Sequence, residues 1–258
     1  MKNALVLAKK DALSYFRSWL GVLFFIFFYL IAGIFFSLLI LSYAKISFEV
    51  AKDATHTLRG VGLVPFVLSS FFLNQGVVLM FLVPLLSMRA VAEEHRQETL
   101  ELLFTYPFSD FEIVLGKFLG MVGFFVALTL PLAGYLFFLA WFGGGLDWGS
   151  VFLGFLGFWL LGSAYLSLGL FISAISENQI ACAIATFAVL ILFWVLDWVA
   201  SLASGGWGHF FGSLSPLSHY REFPLGILDL SHVVYFLFFQ LYFLFLSLRA
   251  IEVRNWKG

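Results

Sequence analysis

Trp19-Leu-Gly-Val-Leu-Phe-Phe-Ile-Phe-Phe-Tyr-Leu-Ile-Ala-Gly-Ile-Phe-Phe-Ser-Leu-Leu-Ile-Leu-Ser-Tyr43 contains no charged residue, and its apolar side chains fall on every face of a helix. At about 1.5 Å per residue such a run outreaches the ~30 Å hydrocarbon core of a bilayer. Equivalent runs follow at Val61–Met88, Phe118–Phe142, Trp148–Ile175, Ile180–Ala203 and Leu230–Leu248; Asp197 and, near one end, His232 are the only acidic, basic or histidine residues within them. Transmembrane β-strands would alternate apolar and polar residues in pieces of about 10, and these runs do not. The sequence predicts an all-α polytopic membrane protein: a single unit over residues 1–258 with six transmembrane helices, at about 19–43, 61–88, 113–142, 148–175, 180–203 and 230–250, plus amphipathic cytoplasmic helices.

Composition agrees. The chain is 62% hydrophobic and 11% charged, with a mean hydropathy of +1.01, whereas soluble domains carry about a quarter charged residues. Six spans and their connections nearly use up 258 residues, leaving no room for a separate soluble catalytic domain. A net charge of −1 and the lack of a Lys/Arg run exclude a nucleic-acid partner on electrostatic grounds. The lone Cys182 offers no internal disulfide and reads as packing. Lys2, Lys9, Lys10 and Arg17 precede a run longer than a signal-peptide core, the pattern of an uncleaved signal anchor. With the N-terminus inside, Arg89, Arg96, Lys117, Arg249, Arg254 and Lys257 join those four residues, against Lys45, Lys52, Arg59 and Arg221 outside. The positive-inside rule thus puts both termini and the Met88–Lys117 connection in the cytoplasm.

That connection is the polar device of an otherwise apolar chain. Glu94, Gln97, Glu98 and Glu101 recur at helical spacing, opposite Leu100, Leu103 and Phe104, which predicts a surface-lying amphipathic helix over about 92–105. Pro107 ends it, because proline disfavours the helical conformation at Tyr106 and lacks an amide donor. The next helix starts at a capping box, Ser109 with Glu112, flanked by Phe108 and Ile113 as a hydrophobic staple. An acidic helix is ill-suited to a negatively charged cytoplasmic leaflet and suits a protein partner better.

The run Phe81-Leu-Val-Pro-Leu-Leu-Ser-Met-Arg-Ala-Val-Ala-Glu-Glu, then Thr99-Leu-Glu-Leu-Leu-Phe-Thr-Tyr-Pro and Ile113-Val-Leu-Gly-Lys-Phe, resembles the permease subunits of ABC type 2 transporters. The likeness leans toward the branch of gliding-motility permeases and of the permeases that mature the copper sites of nitrous oxide reductase. Gly169-Leu-Phe-Ile-Ser-Ala-Ile-Ser-Glu-Asn-Gln and Ser215-Pro-Leu-Ser-His-Tyr through Asp229-Leu-Ser-His-Val-Val-Tyr extend it over most of the chain, while Glu98 stands where the family commonly has Gly. The resemblance implies a non-catalytic subunit of a prokaryotic inner membrane that pairs with a second permease copy and two ATPase subunits. It also leaves room for an accessory protein on the outer side. This chain would bind no cofactor, ATP and Mg belonging to the ATPase. By the same resemblance the 92–105 segment is a coupling helix, as the N-terminal amphipathic segment is a second contact, and Glu93, Glu94, Arg96, Glu98, Thr99 and Glu101 are its candidate ATPase contacts.

Enzymatic chemistry finds no support in the residues. Gly116-Lys117 is followed by Phe118 and lacks the upstream glycine of a phosphate-binding loop; nucleophile-elbow and zinc-protease motifs do not occur. Glu93-Glu94 has Glu98 where the intramembrane prenyl-type proteases need Arg. His209 and His219 lie in the segment Ser204–Ser231, His232 follows it directly, and all three read as polar loop or span-end residues rather than metal ligands. Asn74 and Gln75, midway along the second run, are candidate pathway-lining residues. Asp197 reads as an interfacial anchor, and the apolar, Gly- and Pro-bearing stretch over 204–230 as a re-entrant or helical outer segment. An ion-driven carrier or a membrane-embedded enzyme are the alternative readings; the first would want ionisable residues at the bilayer midplane.

Overall fold

The computed structural model describes residues 2–52, 63–92, 109–143, 146–203 and 205–255. Among them regular structure is entirely helical. In chain order the helices are α1 (Lys2–Arg17), α2 (Trp19–Lys52), α3 (Leu63–Ser87), α4 (Asp110–Thr129), α5 (Ala133–Gly143), α6 (Trp148–Ile175), α7 (Gln179–Leu202), α8 (Gly206–Leu214), α9 (Pro216–Tyr220) and α10 (Leu230–Asn255). Six helical stretches are long and apolar enough to cross a membrane: Trp19–Phe48, Phe66–Ser87, Asp110–Trp141, Trp148–Ile175, Gln179–Leu202 and Leu230–Val253. The protein is an all-α, multi-pass membrane protein.

α6 is the axis of the bundle. In its most apolar window 78% of the residues are buried, against 17% for α7 and for α10. It packs against α3, α4, α7 and α10 at once. Such crowding works because α6 is lined with glycine: a Cβ at Gly154 would lie 2.6 Å from the Phe72 ring, and one at Gly162 would lie 2.3 Å from the Phe125 ring. Bilayer lipid is as apolar as leucine, so close helix approach and dispersion, rather than expulsion of water, hold these helices together. Gly123, which sequence spacing groups with the contact glycines Gly116 and Gly120, instead faces open space. A period of three to four residues cannot say how far round the helix a neighbour extends.

The third span is two helices joined by a 3₁₀ turn, Leu130–Leu132. Pro131 is the cause, having no amide to continue the ladder and a ring that clashes with the preceding turn. Side-chain donors gather around the break: the Tyr29 hydroxyl donates to the Leu128 carbonyl, and the Thr129 hydroxyl donates to the Phe125 carbonyl at 3.0 Å. Trp159 Nε1 donates to Thr129 Oγ1 at 3.0 Å, and Tyr135 Oη donates to the Tyr29 carbonyl at 3.2 Å. Pro84, by contrast, sits within a continuous α3. The helix ends are capped in the usual way. Asp147 accepts from the amides of Gly149 and Ser150, and the Ser150 hydroxyl, then the Gly149 amide, hold its carboxyl below the ordinary range.

Connectivity places two polar regions at opposite ends of the bundle. One end holds α1, the end of α3 and the start of α4; the other holds α8, α9 and the start of α10. Gly162→Ala, which forces a methyl group into the Phe125 ring, is expected to destabilise the protein by about 1–3 kcal/mol. Gly123→Ala should be near neutral, and thermal unfolding in detergent compares the two. Equal melting temperatures would rule out glycine-mediated closeness of α4 and α6.

Candidate functional site

At the α1 end, α1 lies along α4 in the most extensive helix pairing of the molecule. Ala4, Leu7, Ala8 and Tyr15 form its buried stripe while Leu5, Val6, Lys9 and Lys10 are exposed. α4 receives that stripe through Gly116 and Gly120: a Cβ at either would come within 3.0 Å of the α1 backbone, at the Ala4 and Ala8 carbonyls respectively. The result is a platform helix held in close backbone contact with a membrane helix.

A buried polar node ties this platform to the ends of α3 and α6. Lys117, two turns into α4 and 2% exposed, donates to the Ala90 carbonyl at 2.6 Å. Its Nζ lies 3.8 Å from Asp11 Oδ2 of α1. The adjacent amides of Val91 and Ala92 both donate to Ser173 Oγ of α6, each at 3.1 Å. Tyr15 donates to the Leu86 carbonyl at 3.0 Å, and Arg89 Nη1 donates to Ser18 Oγ at 2.9 Å, at the junction of α1 and α2. Four helices thus meet on the backbone of residues 86–92, just where α3 has ended. A buried ammonium and buried amides each cost several kcal/mol when unmatched, so this arrangement has one satisfied geometry rather than a range of them.

Residues 93–108 lie outside the described residues, and with them the predicted ATPase contacts Glu93, Glu94, Arg96, Glu98, Thr99 and Glu101, the helix over about 92–105 and the Phe108 side of the staple. Both flanks of that segment are described. The upstream flank is the node. The downstream flank is the capping box: Ser109 Oγ accepts from the Glu112 amide at 3.2 Å, and the Glu112 carboxylate accepts from the Ser109 amide in return. Asn3 Nδ2 of α1 adds a 3.4 Å contact to Glu112 Oε2.

Sequence reading missed the node. Lys117 counted only as a cationic flank of a span, and no spacing rule links Tyr15, Lys117 and Ser173. The one legible hint was Gly116-x-x-x-Gly120 around a lysine, which announces a close helix neighbour on the face beside that charge.

Of the candidate pathway residues, Asn74 is half-buried and Gln75 fully buried in α3. Neither amide atom of Gln75 has a hydrogen-bond partner among the described residues, and the same holds for the Tyr165 hydroxyl of α6. Unmatched buried polar atoms in an apolar bundle are costly and uncommon.

At the opposite end stands Asp197. It is buried in α7 and fixes the following segment, accepting from Arg221 Nη2 at 2.6 Å and from Ser218 Oγ at 2.8 Å. His219 and His232 come together, Nδ1 to Nδ1 at 2.8 Å, and His219 Nε2 meets the Ser213 carbonyl at 3.1 Å. His232 Nε2 lies 3.1 Å from Glu222 Oε2. His209 is exposed and stands apart from this group. Burial pushes the His219 pKa below its ordinary value, outweighing the Ser213 carbonyl that favours the charged ring. Asp229 caps α10 through the Ser231 amide at 2.8 Å, and that amide and the Ser231 hydroxyl hold its carboxyl low.

Fold and platform together define a multi-pass membrane protein, with a helical platform gathered at one end of its spans and no catalytic constellation among the described residues. The chain belongs to the ABC-2 family transporter proteins, whose family profile matches residues 5–251. Among curated proteins no match is found. Members of this family are membrane-embedded, generally non-catalytic permeases that work with an ATPase partner.

Ser173→Ala would orphan the buried amides of Val91 and Ala92. The expected cost is about 1–3 kcal/mol, seen as a lowered thermal unfolding temperature of the purified protein. An unchanged temperature would show that the node does not hold these amides.

Proposed function

We propose that this chain is the permease subunit of an ABC type 2 transporter, carrying out export or transmembrane force transmission with energy from ATP hydrolysed elsewhere. In this reading two copies of the permease pair in a prokaryotic inner membrane with both termini cytoplasmic, and two ATPase subunits, which hold ATP and Mg, dock on the α1 end. An accessory protein on the outer side completes the assembly. The sequence likeness to the gliding-motility and nitrous-oxide-reductase-maturation permeases favours that branch.

The observation that carries this reading is how the segment 93–108 is mounted. One flank is fixed by Lys117, Asp11 and Ser173 to three helices, and the other opens directly into capped α4. A push that reaches either flank would act directly on α1, α4 and α6. Glu93, Glu94, Arg96, Glu98, Thr99 and Glu101 are the residues that would receive the push from the ATPase. Movement of α6 would in turn be felt by α3, on which Asn74 and Gln75 supply the polar atoms offered to a substrate or to water. That Gln75 is buried with its amide unmatched supports this role.

Co-expression with the ATPase reading frame nearest in the genome tests the docking. Wild-type permease is expected to carry the ATPase through affinity purification in equal amount, and Glu94→Lys combined with Glu101→Lys to recover at least about tenfold less, roughly 1.4 kcal/mol of lost affinity. Equal recovery with the double variant would refute the assignment of this segment as the docking site.

A further inference from the structure

The group at the α8–α9 end has a donor arrangement that ordinary loop polarity does not explain. Ser213 offers a carbonyl, which can only accept, so the proton between it and His219 belongs to His219 Nε2. In the neutral ring Nδ1 of His219 then carries a lone pair. The 2.8 Å contact to His232 Nδ1 is a hydrogen bond only if His232 supplies the proton. This chain of two bonds puts a proton on His232 Nδ1 and turns Nε2 toward Glu222 Oε2, 3.1 Å away. An imidazole nitrogen and a carboxylate oxygen at that distance can share a proton or ligate one cation.

Asp229 enlarges the group. Ligand atoms of Glu222, Asp229 and His232 all lie within 4.8 Å of one another. Asp229 caps α10 by accepting from the Ser231 amide at Oδ1, and the Ser231 hydroxyl also bonds its carboxylate. A dication at this point would meet both carboxylates and the imidazole nitrogen.

We propose that Glu222, Asp229 and His232 form a binding site for a divalent transition-metal ion with the ligand preference of zinc, its His232 ligand oriented by His219 and the Ser213 carbonyl. The donor set, one imidazole nitrogen and two carboxylate oxygens, suits zinc and its neighbours rather than magnesium, which prefers oxygen alone. The spacing suits it as well: ligands at about 2.0–2.1 Å in a tetrahedron stand about 3.3 Å apart, close to the 3.1 Å between His232 Nε2 and Glu222 Oε2. A histidine ligand whose second nitrogen donates a hydrogen bond is the usual outer-shell arrangement of metal sites. The backbone prepares the geometry. Gly226, at φ 81°, turns the chain after Phe223–Leu225, and the Ile227 amide closes on the Glu222 carbonyl at 3.2 Å, which folds Glu222 back toward the start of α10. The ion would cross-link the 3₁₀ turn to that helix.

The test uses untagged full-length protein in lipid nanodiscs, stripped of metal and dialysed against zinc. One zinc per chain is expected by elemental analysis, lost in His232→Ala and in Glu222→Gln with Asp229→Asn, weakened about 10–100-fold in His219→Ala and kept in His209→Ala. Two readouts on the wild type guard against a variant that fails to fold: a visible tetrahedral absorption when cobalt replaces zinc, and protection of His232 by zinc from acylation by diethyl pyrocarbonate. Absence of stoichiometric zinc, absence of the cobalt band, unprotected His232, or full binding by His232→Ala would each overturn the proposal.

Discussion

A charged amine enclosed at the edge of an apolar bundle must be matched where it sits, and Lys117 meets that requirement with the Ala90 carbonyl and the Asp11 carboxylate. Everything at the α1 end follows from that constraint. α3 has to terminate so that a carbonyl is free to accept, α1 has to lie close enough to offer an acid, and α4 has to present the lysine toward both. Small residues make this possible: Gly116 and Gly120, on either side of Lys117, admit the α1 backbone to van der Waals contact. Ser173 then closes the arrangement by taking the two amides that the end of α3 leaves without helical partners.

Energetically the two regions of the molecule divide the labour. Between the ends, close glycine contacts and aromatic packing hold the spans, and polar groups are confined to local repairs such as the Tyr29–Thr129–Trp159 set around Pro131. At the ends, hydrogen bonds and ion pairs specify position, because water is near enough to make a wrong pairing cheap and the right one has to be selected by geometry. The Asp197–Arg221–Ser218 set does for α9 what the Lys117 node does for α1.

Much of the fold was legible because the signal is one of length and charge. Runs such as Trp19–Tyr43 can only be spans, and Pro131 could only disturb the one that contains it. Ser109 and Glu112 announced a helix start that the structure contains. What remained hidden depends on azimuth and on chain reversal. Lys117 reads as a flanking charge until the helix beside it is known, Gly123 is indistinguishable by spacing from Gly120, and Asp197 shows its depth but not Arg221, which is 24 residues away. His219 and His232 stand 13 residues apart in sequence; their contact and the acids around it arise from the turn at Gly226, which no periodicity records.

The central claim is that residues 86–92 and the start of α4 move as one unit when an ATPase acts on the segment between them. Hydrogen–deuterium exchange of the assembled complex in nanodiscs, with and without a non-hydrolysable ATP analogue, reads this directly. The account predicts that peptides covering 86–92 and 110–120 change protection together on nucleotide binding, and that Lys117→Met abolishes the joint change while the ATPase stays bound. Nucleotide-dependent exchange in neither peptide, or an undiminished joint response in Lys117→Met, would contradict it.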